Sequence, residues 1–161
     1  MAEFKGDREA ALELAEQAIL VDPNYAGAHI IKGGNLIYSG RTREGREEQM
    51  AALRLNPRDP MGLGMRLMVA ISYYFERDYQ NAAGTARSAI RDYPDHPNPY
   101  RWLAASLGQL GCGEEARAAL QQAIKVSAAA FNFSVSSCPP WIRPEDHEHM
   151  LDCLRKAGWQ G

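Results

Sequence analysis

Apolar residues recur along the chain at spacings of three and four residues, in segments that are separated by turns. This is the spacing of amphipathic helices, whereas β-branched runs bounded by turns, which are typical of strands, are absent. The first segment, GDREAALELAEQAILVDPNY, has one apolar stripe and ends in Asp-Pro-Asn. Such a helix is stable in water only when its stripe packs against another element. The pattern therefore predicts an all-α protein.

Prolines mark helix ends at regular intervals. Pro23 is followed by Pro57 thirty-four residues later and by Pro94 after a further thirty-seven. Because proline cannot continue a helix, each of these residues ends one helix and opens a turn. A further turn divides each unit into two helices, and these turns lie at Gly40, Asp78 and Gly111.

Three positions in each unit contain only glycine or alanine. Residues this small let two helix backbones approach to about 8 Å, near the lower end of the usual range, and a larger side chain would push the pair apart. These residues are Gly33, Ala70 and Ala104 at the first position; Ala11, Gly45, Ala82 and Ala116 at the second; and Ala18, Ala52, Ala89 and Ala123 at the third. They predict a half repeat over residues 1–25 and full repeats over 26–59, 63–96 and 97–130.

The repeat resembles the tetratricopeptide (TPR) repeat, a 34-residue pair of antiparallel helices with small residues where the helices cross. The resemblance implies a TPR-type α-solenoid of antiparallel helix pairs that acts as a protein-interaction module. The first segment resembles the second helix of a TPR whose first helix lies outside the chain. Either the chain is a fragment of a larger protein, or a partner, a second copy or its own C-terminus covers this edge.

The sequence changes after Ala130, and residues 131–161 predict a Pro-rich turn followed by a capping helix. Pro139, Pro140 and Pro144 exclude a continuous helix up to Arg143. The segment RPEDHEHMLDCLRKAG has proline and acidic residues at its start, basic residues in its last turn and a glycine after it, which is typical of a helix. We expect this helix to dock on the last repeat and Trp141 to hold the irregular segment on the solenoid; the docking residues are Met150, Leu151 and Leu154.

The tail PPWIRPEDHEHMLDCLRKAGW also resembles the C-terminal end of bacterial class III adenylate or guanylate cyclase-like proteins, in which a TPR region follows the catalytic domain. This resemblance implies the C-terminal regulatory region of a nucleotide-cyclase-like signalling protein. The cyclase domain would lie upstream of the repeats. No catalytic residue is therefore carried over, and the chain is not expected to be an enzyme.

Composition narrows the classes of function. With 161 residues, 45% of them hydrophobic, the chain can form one domain with its own core. Eighteen basic and twenty acidic residues are interleaved and leave a net charge of −2, which argues against a nucleic-acid surface. No long apolar run or secretory signal is present, so we expect a cytoplasmic protein that does not bind membranes. The three cysteines are widely spaced and predict neither a disulfide framework nor a zinc site.

Two motifs contain residues that could form a chemical site. KGGNLIYSG has three glycines near a lysine, but it departs from the phosphate-binding spacing, and Gly33 falls at a helix crossing. His147 and His149 point to different faces of a helix, and His149 with Cys153 supplies only two metal ligands. We therefore expect no catalytic residue, no metal and no cofactor.

The first helices of TPR pairs line a concave face, and the residues on this face indicate the chemical class of the ligand. The candidates are Ile30, Ile37, Tyr38, Leu67, Ile71, Tyr74, Phe75 and Arg101. An apolar groove with an aromatic rim and one basic residue suits a hydrophobic peptide or an amphipathic helix. TPR domains that bind the C-terminal carboxylates of chaperones use Asn and Lys or Arg here, a pattern that this chain lacks apart from Arg101.

Three alternatives stay open at this point. The chain's own tail, Phe131 to Trp141, or helix packing could cover the same residues. The chain could be a structural module that forms homodimers through its N-terminal helix edge. It could also be an enzyme in its own right, which a bound metal or nucleotide would reveal.

Overall fold

A computed structural model of the chain describes residues 2–136, 138–139 and 141–161, with side chains from Arg8 onward. Pro140, one of the three prolines of the predicted turn, lies outside the described residues. The described residues form nine α-helices and no strand. The helices are α1 (Ala2–Val21), α2 (Ala26–Tyr38), α3 (Thr42–Leu55), α4 (Gly62–Phe75), α5 (Tyr79–Asp92), α6 (Pro97–Gln109), α7 (Gly113–Val126), α8 (Ala128–Ser136) and α9 (Pro144–Lys156).

The helices α1 to α7 stack in chain order. Each packs against the helix before it and the helix after it, and the shortest turns join α2 to α3, α4 to α5 and α6 to α7. The first helices of these pairs also contact one another, α2 with α4 and α4 with α6. The chain is an all-α helical-repeat solenoid. We call the surface formed by α2, α4 and α6 the first-helix face.

Small residues bring the paired helices into backbone contact. A Cβ atom added to Gly45 would lie 2.5 Å from the carbonyl oxygen of Gly33, and one added to Gly33 would lie 2.8 Å from that of Gly45. Contacts this short leave no room for a side chain, so α2 and α3 cross backbone to backbone. The nine crossing residues of the full repeats are all buried: Gly33, Gly45, Ala52, Ala70, Ala82, Ala89, Ala104, Ala116 and Ala123.

The turns inside the three pairs share a left-handed residue. Gly40 has φ 92° and Gly111 has φ 73°, which glycine adopts without strain. The corresponding residue between α4 and α5 is Arg77, with φ 64°. A non-glycine residue in this region is uncommon and costs conformational energy. Asp78 follows it and caps α5 by accepting a hydrogen bond from the backbone N–H of Asn81 at 3.1 Å.

The segment after α7 differs from the expectation. We expected an irregular chain from Phe131 onward, and this is wrong for Phe131–Ser136, which belong to α8. Ser127 lies between the end of α7 and the start of α8. Its Oγ accepts a hydrogen bond from the N–H of Ala130 at 3.2 Å and so caps the start of α8. The ring of Phe131 is buried and packs edge-on against that of Trp159, with centroids 6.2 Å apart. Helix α8 therefore closes the C-terminal end of the stack.

Helix α9 does not extend the stack but folds back across it. Pro144 occupies the first turn, Arg155 and Lys156 lie in the last turn, and Gly158 follows with φ 101°. The helix packs mainly against α6, on the first-helix face. Its inward side chains Met150, Leu151 and Leu154 are buried.

None of the helices in the described ranges combines the length and the apolar character that crossing a membrane requires.

Candidate peptide-binding face

The structure divides the eight predicted ligand-contacting residues into two groups. Ile30, Tyr38 and Arg101 are half-buried and reach the surface. The other five are buried in the core: Ile37, Leu67, Ile71, Tyr74 and Phe75. A ligand on the solenoid as it stands can therefore touch only the first group.

Two kinds of packing bury the second group. Ile37 packs closely against Gly45 of α3. A Cβ atom added to Gly45 would lie 2.7 Å from Cγ1 of Ile37. Tyr74 and Phe75 meet the ring of Trp102 edge-on, with centroids 5.1 and 6.4 Å apart. Tyr74 is also covered by α9. Helix packing and the chain's own tail thus both bury residues on this face, and the covering part of the tail at Tyr74 is α9 rather than Phe131 to Trp141.

A pocket of about 490 Å³ remains open beside α2. Its exposed wall includes Ile31, which is 49% exposed, and Trp141, which is 43% exposed. The chain segment before α9 therefore forms one side of the pocket and α2 forms the other. The lining residues are Arg8, Ile30, Ile31, Gly34, Asn35, Tyr38 and Trp141. The lining is largely apolar, with a guanidinium at its rim.

Arg8 joins three segments at this pocket. Its Nη2 donates to the carbonyl oxygen of Trp141 at 2.8 Å, and its Nη1 to that of Tyr38 at 3.4 Å. Its guanidinium also lies 5.8 Å from the centre of the Tyr38 ring. Trp141 is thus held through its backbone, and its side chain stays partly exposed beside the pocket. Burial raises the pKa of the Tyr38 phenol to about 12, so the phenol is neutral at physiological pH.

Arg101 is a desolvated cation on the same face. Burial lowers the pKa of its guanidinium to about 10, so it stays charged at neutral pH. The Nε atom is buried, and no described residue accepts a hydrogen bond from it. The guanidinium lies 5.3 Å from the centre of the Trp102 ring. A buried donor without a partner costs free energy, so Nε of Arg101 is held here at the expense of stability.

Helix α9 makes polar contacts with the other end of the first-helix face. The hydroxyl of Tyr74 and the amide of Gln109 donate to Sγ of Cys153, the amide at 3.0 Å. Tyr79 Oη lies 2.8 Å from Nε2 of His149, and Lys156 Nζ donates to Oε1 of Gln109 at 3.1 Å. Burial lowers the pKa of His149, and the nearby positive charges lower it further, so its neutral form is favoured.

The start of α9 contains a buried carboxylate. Asp146 is 2% exposed and accepts a hydrogen bond from Nε of Arg143 at 2.6 Å. Arg77, the left-handed residue of the α4–α5 turn, approaches its other oxygen to 3.8 Å. The sequence did not single out Arg77 as a functional candidate. The sequence does contain a signal for it: the turn position that is glycine in the other two helix pairs is arginine here.

The two motifs that could form a chemical site contact other parts of the fold. His147 contacts the carbonyl oxygen of Ser134 at 3.3 Å, whereas His149 faces Tyr79. Gly33 lies at the α2–α3 crossing. Among the described residues, no group of three or more His, Cys, Asp or Glu side chains could bind a metal ion.

A second pocket, of about 440 Å³, lies on the outer side of the solenoid between α5 and α7. Its floor is apolar and includes Ile90, Leu103 and Leu107. An ion pair between Arg87 and Glu115, at 2.6 Å, joins α5 to α7 beside it. This pocket is the alternative ligand site that any binding experiment has to distinguish from the pocket at α2.

Comparison with known proteins defines the fold. No protein-family model and no curated protein sequence matches the chain. A structure of MamA is 16% identical, with a TM-score of 0.70, and the match covers 96% of this chain and 89% of that one. A MamA fragment from Desulfovibrio magneticus RS-1 is also 16% identical, with a TM-score of 0.70 and coverages of 96% and 85%. YrrB, a TPR protein with an unusual peptide-binding site, is 18% identical, with a TM-score of 0.64 and coverages of 96% and 78%. Likeness at these identities shows the helical-repeat fold alone.

Proposed function

We propose that the chain is a non-catalytic protein-interaction module that binds a hydrophobic peptide or an amphipathic helix at the α2 end of the first-helix face. The open pocket between α2 and Trp141 is the observation on which this proposal mainly rests. Its apolar lining and exposed aromatic ring are suited to bury apolar side chains of a ligand. The solenoid fold is consistent with such a role, and YrrB is one helical-repeat protein of similar fold with a peptide-binding site.

The charges on this face favour an acidic group in the ligand. Arg8 lies at the pocket rim, and Arg101 presents a desolvated guanidinium. A carboxylate on the peptide would pair with the guanidinium of Arg8, which lines the pocket, and would lie in the positive field of Arg101. We therefore expect the ligand to combine apolar side chains with at least one Asp or Glu.

Selection from a peptide display library tests this function directly. We expect enriched peptides to bind the wild-type chain and to lose at least tenfold in affinity against Tyr38→Ala, because the ring lines the pocket. Tyr93→Ala is the matched control, since this half-buried tyrosine lies outside the pocket. Equal loss with both variants, or a selection that enriches no peptide, would contradict the proposal.

We further propose that the module is the C-terminal regulatory region of a bacterial, cytoplasmic, nucleotide-cyclase-like signalling protein. The support is the tail motif and the roles its residues have here: Arg143 and Asp146 pair at the start of α9, and Gly158 ends it. The coding sequence upstream of Met1 tests this proposal. A class III cyclase domain in the same frame is expected, and a frame without one would contradict it.

A second candidate function is self-association through α1. Leu14, Leu20 and Val21 are 66%, 84% and 89% exposed, which is unusual for neighbouring aliphatic side chains on one helix. A second copy could cover them. Light scattering at micromolar concentration tests this: a dimer that Leu20→Lys converts to a monomer would support self-association, and a monomeric wild-type chain would exclude it at that concentration.

A further inference from the structure

Helix α9 lies on the first-helix face in the manner of a bound ligand. Its buried residues recur at spacings of three and four, as in an amphipathic helix. They are Asp146, His147, Met150, Leu151, Cys153 and Leu154, followed by Ala157 after the helix end. The helix packs mainly against α6. Helix α6 also packs against its two chain neighbours, α5 and α7. Each helix from α1 to α7 likewise packs against its chain neighbours, in addition to any contact with α9.

Three residues of the stack make specific contacts with α9. A Cβ atom added to Gly108 of α6 would lie 2.5 Å from the carbonyl oxygen of Cys153, so this glycine lets the two backbones touch. Gln109 donates to Cys153 and accepts from Lys156. Tyr79 at the start of α5 contacts His149. These contacts lie at three residues of α9: His149, Cys153 and Lys156.

Arg77 provides independent support. It keeps a left-handed backbone where the equivalent residues are Gly40 and Gly111. Its side chain reaches the buried carboxylate of Asp146 at the start of α9. A strained residue persists where its side chain has a use that glycine cannot supply. Here the guanidinium lies 3.8 Å from Oδ1 of Asp146, whose other oxygen accepts from Arg143, so Arg77 adds a second positive charge beside the carboxylate.

We infer that this part of the first-helix face is a receptor for an amphipathic helix, that α9 is its exchangeable internal occupant, and that a partner helix with the stripe of α9 displaces it. The partner helix has an acidic residue for Arg77 and apolar residues four and eight positions later, and its backbone lies against Gly108 at the residue seven positions later. The inference rests on the proposed binding function, whose own site at α2 is separate. The occupant is a partner helix, because the cation at Arg77 attracts a carboxylate and the missing side chain at Gly108 admits a helix backbone.

The exchange of backbone amides in the wild-type chain tests whether α9 opens on its own. Local opening exposes only the amides of the opening element. We expect the α9 amides to exchange at least tenfold faster than those of α4 to α7 when measured by mass spectrometry. Exchange of α9 together with α4 to α7, as one unit, would overturn the inference without any variant being needed.

A peptide supplied in trans tests the receptor. The probe is a labelled peptide of residues 143–159, and the protein is the full chain with Leu154→Asp, which places a carboxylate at a fully buried position of α9. We expect this variant to bind the peptide at least tenfold more tightly than the wild-type chain. Adding Gly108→Ala to the variant should abolish binding, and a peptide with Asp146→Lys should bind at least tenfold more weakly.

Each other outcome of this experiment contradicts the inference. A Leu154→Asp chain that loses its helical signal as a whole shows that α9 is part of the cooperative fold. A variant that opens α9 but does not bind the peptide shows that there is no receptor. A wild-type dimer that exchanges α9 between copies shows that the occupant is a second copy. In all three cases Tyr38→Ala can still lower the affinity of the peptides selected against the α2 pocket. Failure of the α9 receptor and failure of the proposed function are therefore distinguishable.

Discussion

Individual alanines and glycines set the spacing of this solenoid. Ala82, Ala89 and Ala116 are at most 1% exposed, and the backbones of Gly33 and Gly45 touch. These residues were predictable from the sequence, because a crossing that needs the absence of a side chain leaves the same small residues in each unit. The burial of Ile37 and Phe75 was not predictable, since position within a helix does not say whether a neighbouring helix or a ligand covers a side chain.

Ala116→Leu is expected to lower the free energy of unfolding by about 1–3 kcal/mol, because the added carbons have no space at the α6–α7 crossing. Ala82→Leu should have an effect of similar size at the α4–α5 crossing. The matched control is Ala118→Leu, which adds the same atoms at an exposed position of α7 and should change stability by less than about 0.5 kcal/mol. Urea unfolding measures both, and equal losses for Ala116→Leu and Ala118→Leu would contradict the assigned crossing.

Arg101→Ala is expected to leave stability nearly unchanged, because the desolvation cost of the buried guanidinium is removed together with its contacts. The same variant should weaken the binding of acidic peptides selected against the α2 pocket. Chemical denaturation and fluorescence anisotropy measure the two effects separately. A large loss of stability with unchanged peptide affinity would mean that the guanidinium is structural.

Among the elements, the C-terminal ones depart most from expectation. Helix α8 differs from the expectation because the prolines further along the tail predict a break, whereas Ser127 caps a helix that begins in the alanine run directly after it. Helix α9 itself was predictable from its proline start, its charges and Gly158. Its fold-back was not, because the residues that receive it, Arg77, Tyr79 and Gly108, lie in three elements far from it in sequence.

Gly108→Ala tests the docking of α9 at the level of two elements. The new methyl group would lie 2.5 Å from a backbone oxygen of α9, so the helices must separate. We expect the α9 amides to exchange faster, while the rest of the solenoid keeps its protection. Gly84→Ala is the control, because an added Cβ there meets nothing within 4 Å and should stabilise α5 by up to about 1 kcal/mol. Unchanged α9 exchange in Gly108→Ala would contradict the observed contact.

For the whole molecule, one carboxylate links stability to pH. Glu48 accepts from His29 Nδ1 at 2.6 Å and from Lys32 Nζ at 2.9 Å. Burial alone would raise its pKa, but these two hydrogen bonds lower it below the ordinary value. The folded state therefore favours the carboxylate. This contribution is complete above the ordinary glutamate pKa of about 4.3 and is lost as the pH falls through the lowered pKa of the folded state.

Glu48→Gln is expected to lower the free energy of unfolding by about 1–3 kcal/mol at pH 7, and by less at pH 3, where the wild-type carboxyl is becoming protonated. Glu47→Gln, at a solvent-exposed neighbouring position, is the control and should show little change at either pH. Urea titrations at the two pH values provide the measurement. A Glu48→Gln effect that does not shrink in acid would show that the hydrogen bonds do not depend on the charge.

Binding of a protein ligand at the α2 end of the first-helix face can be mapped residue by residue. The measurement is the change in amide chemical shifts by NMR as a selected peptide is added to the labelled chain. We expect the largest shifts at Ile30, Gly34, Tyr38, Arg101 and Trp141. The largest shifts around Ile90 and Ala118, at the outer pocket between α5 and α7, would contradict it.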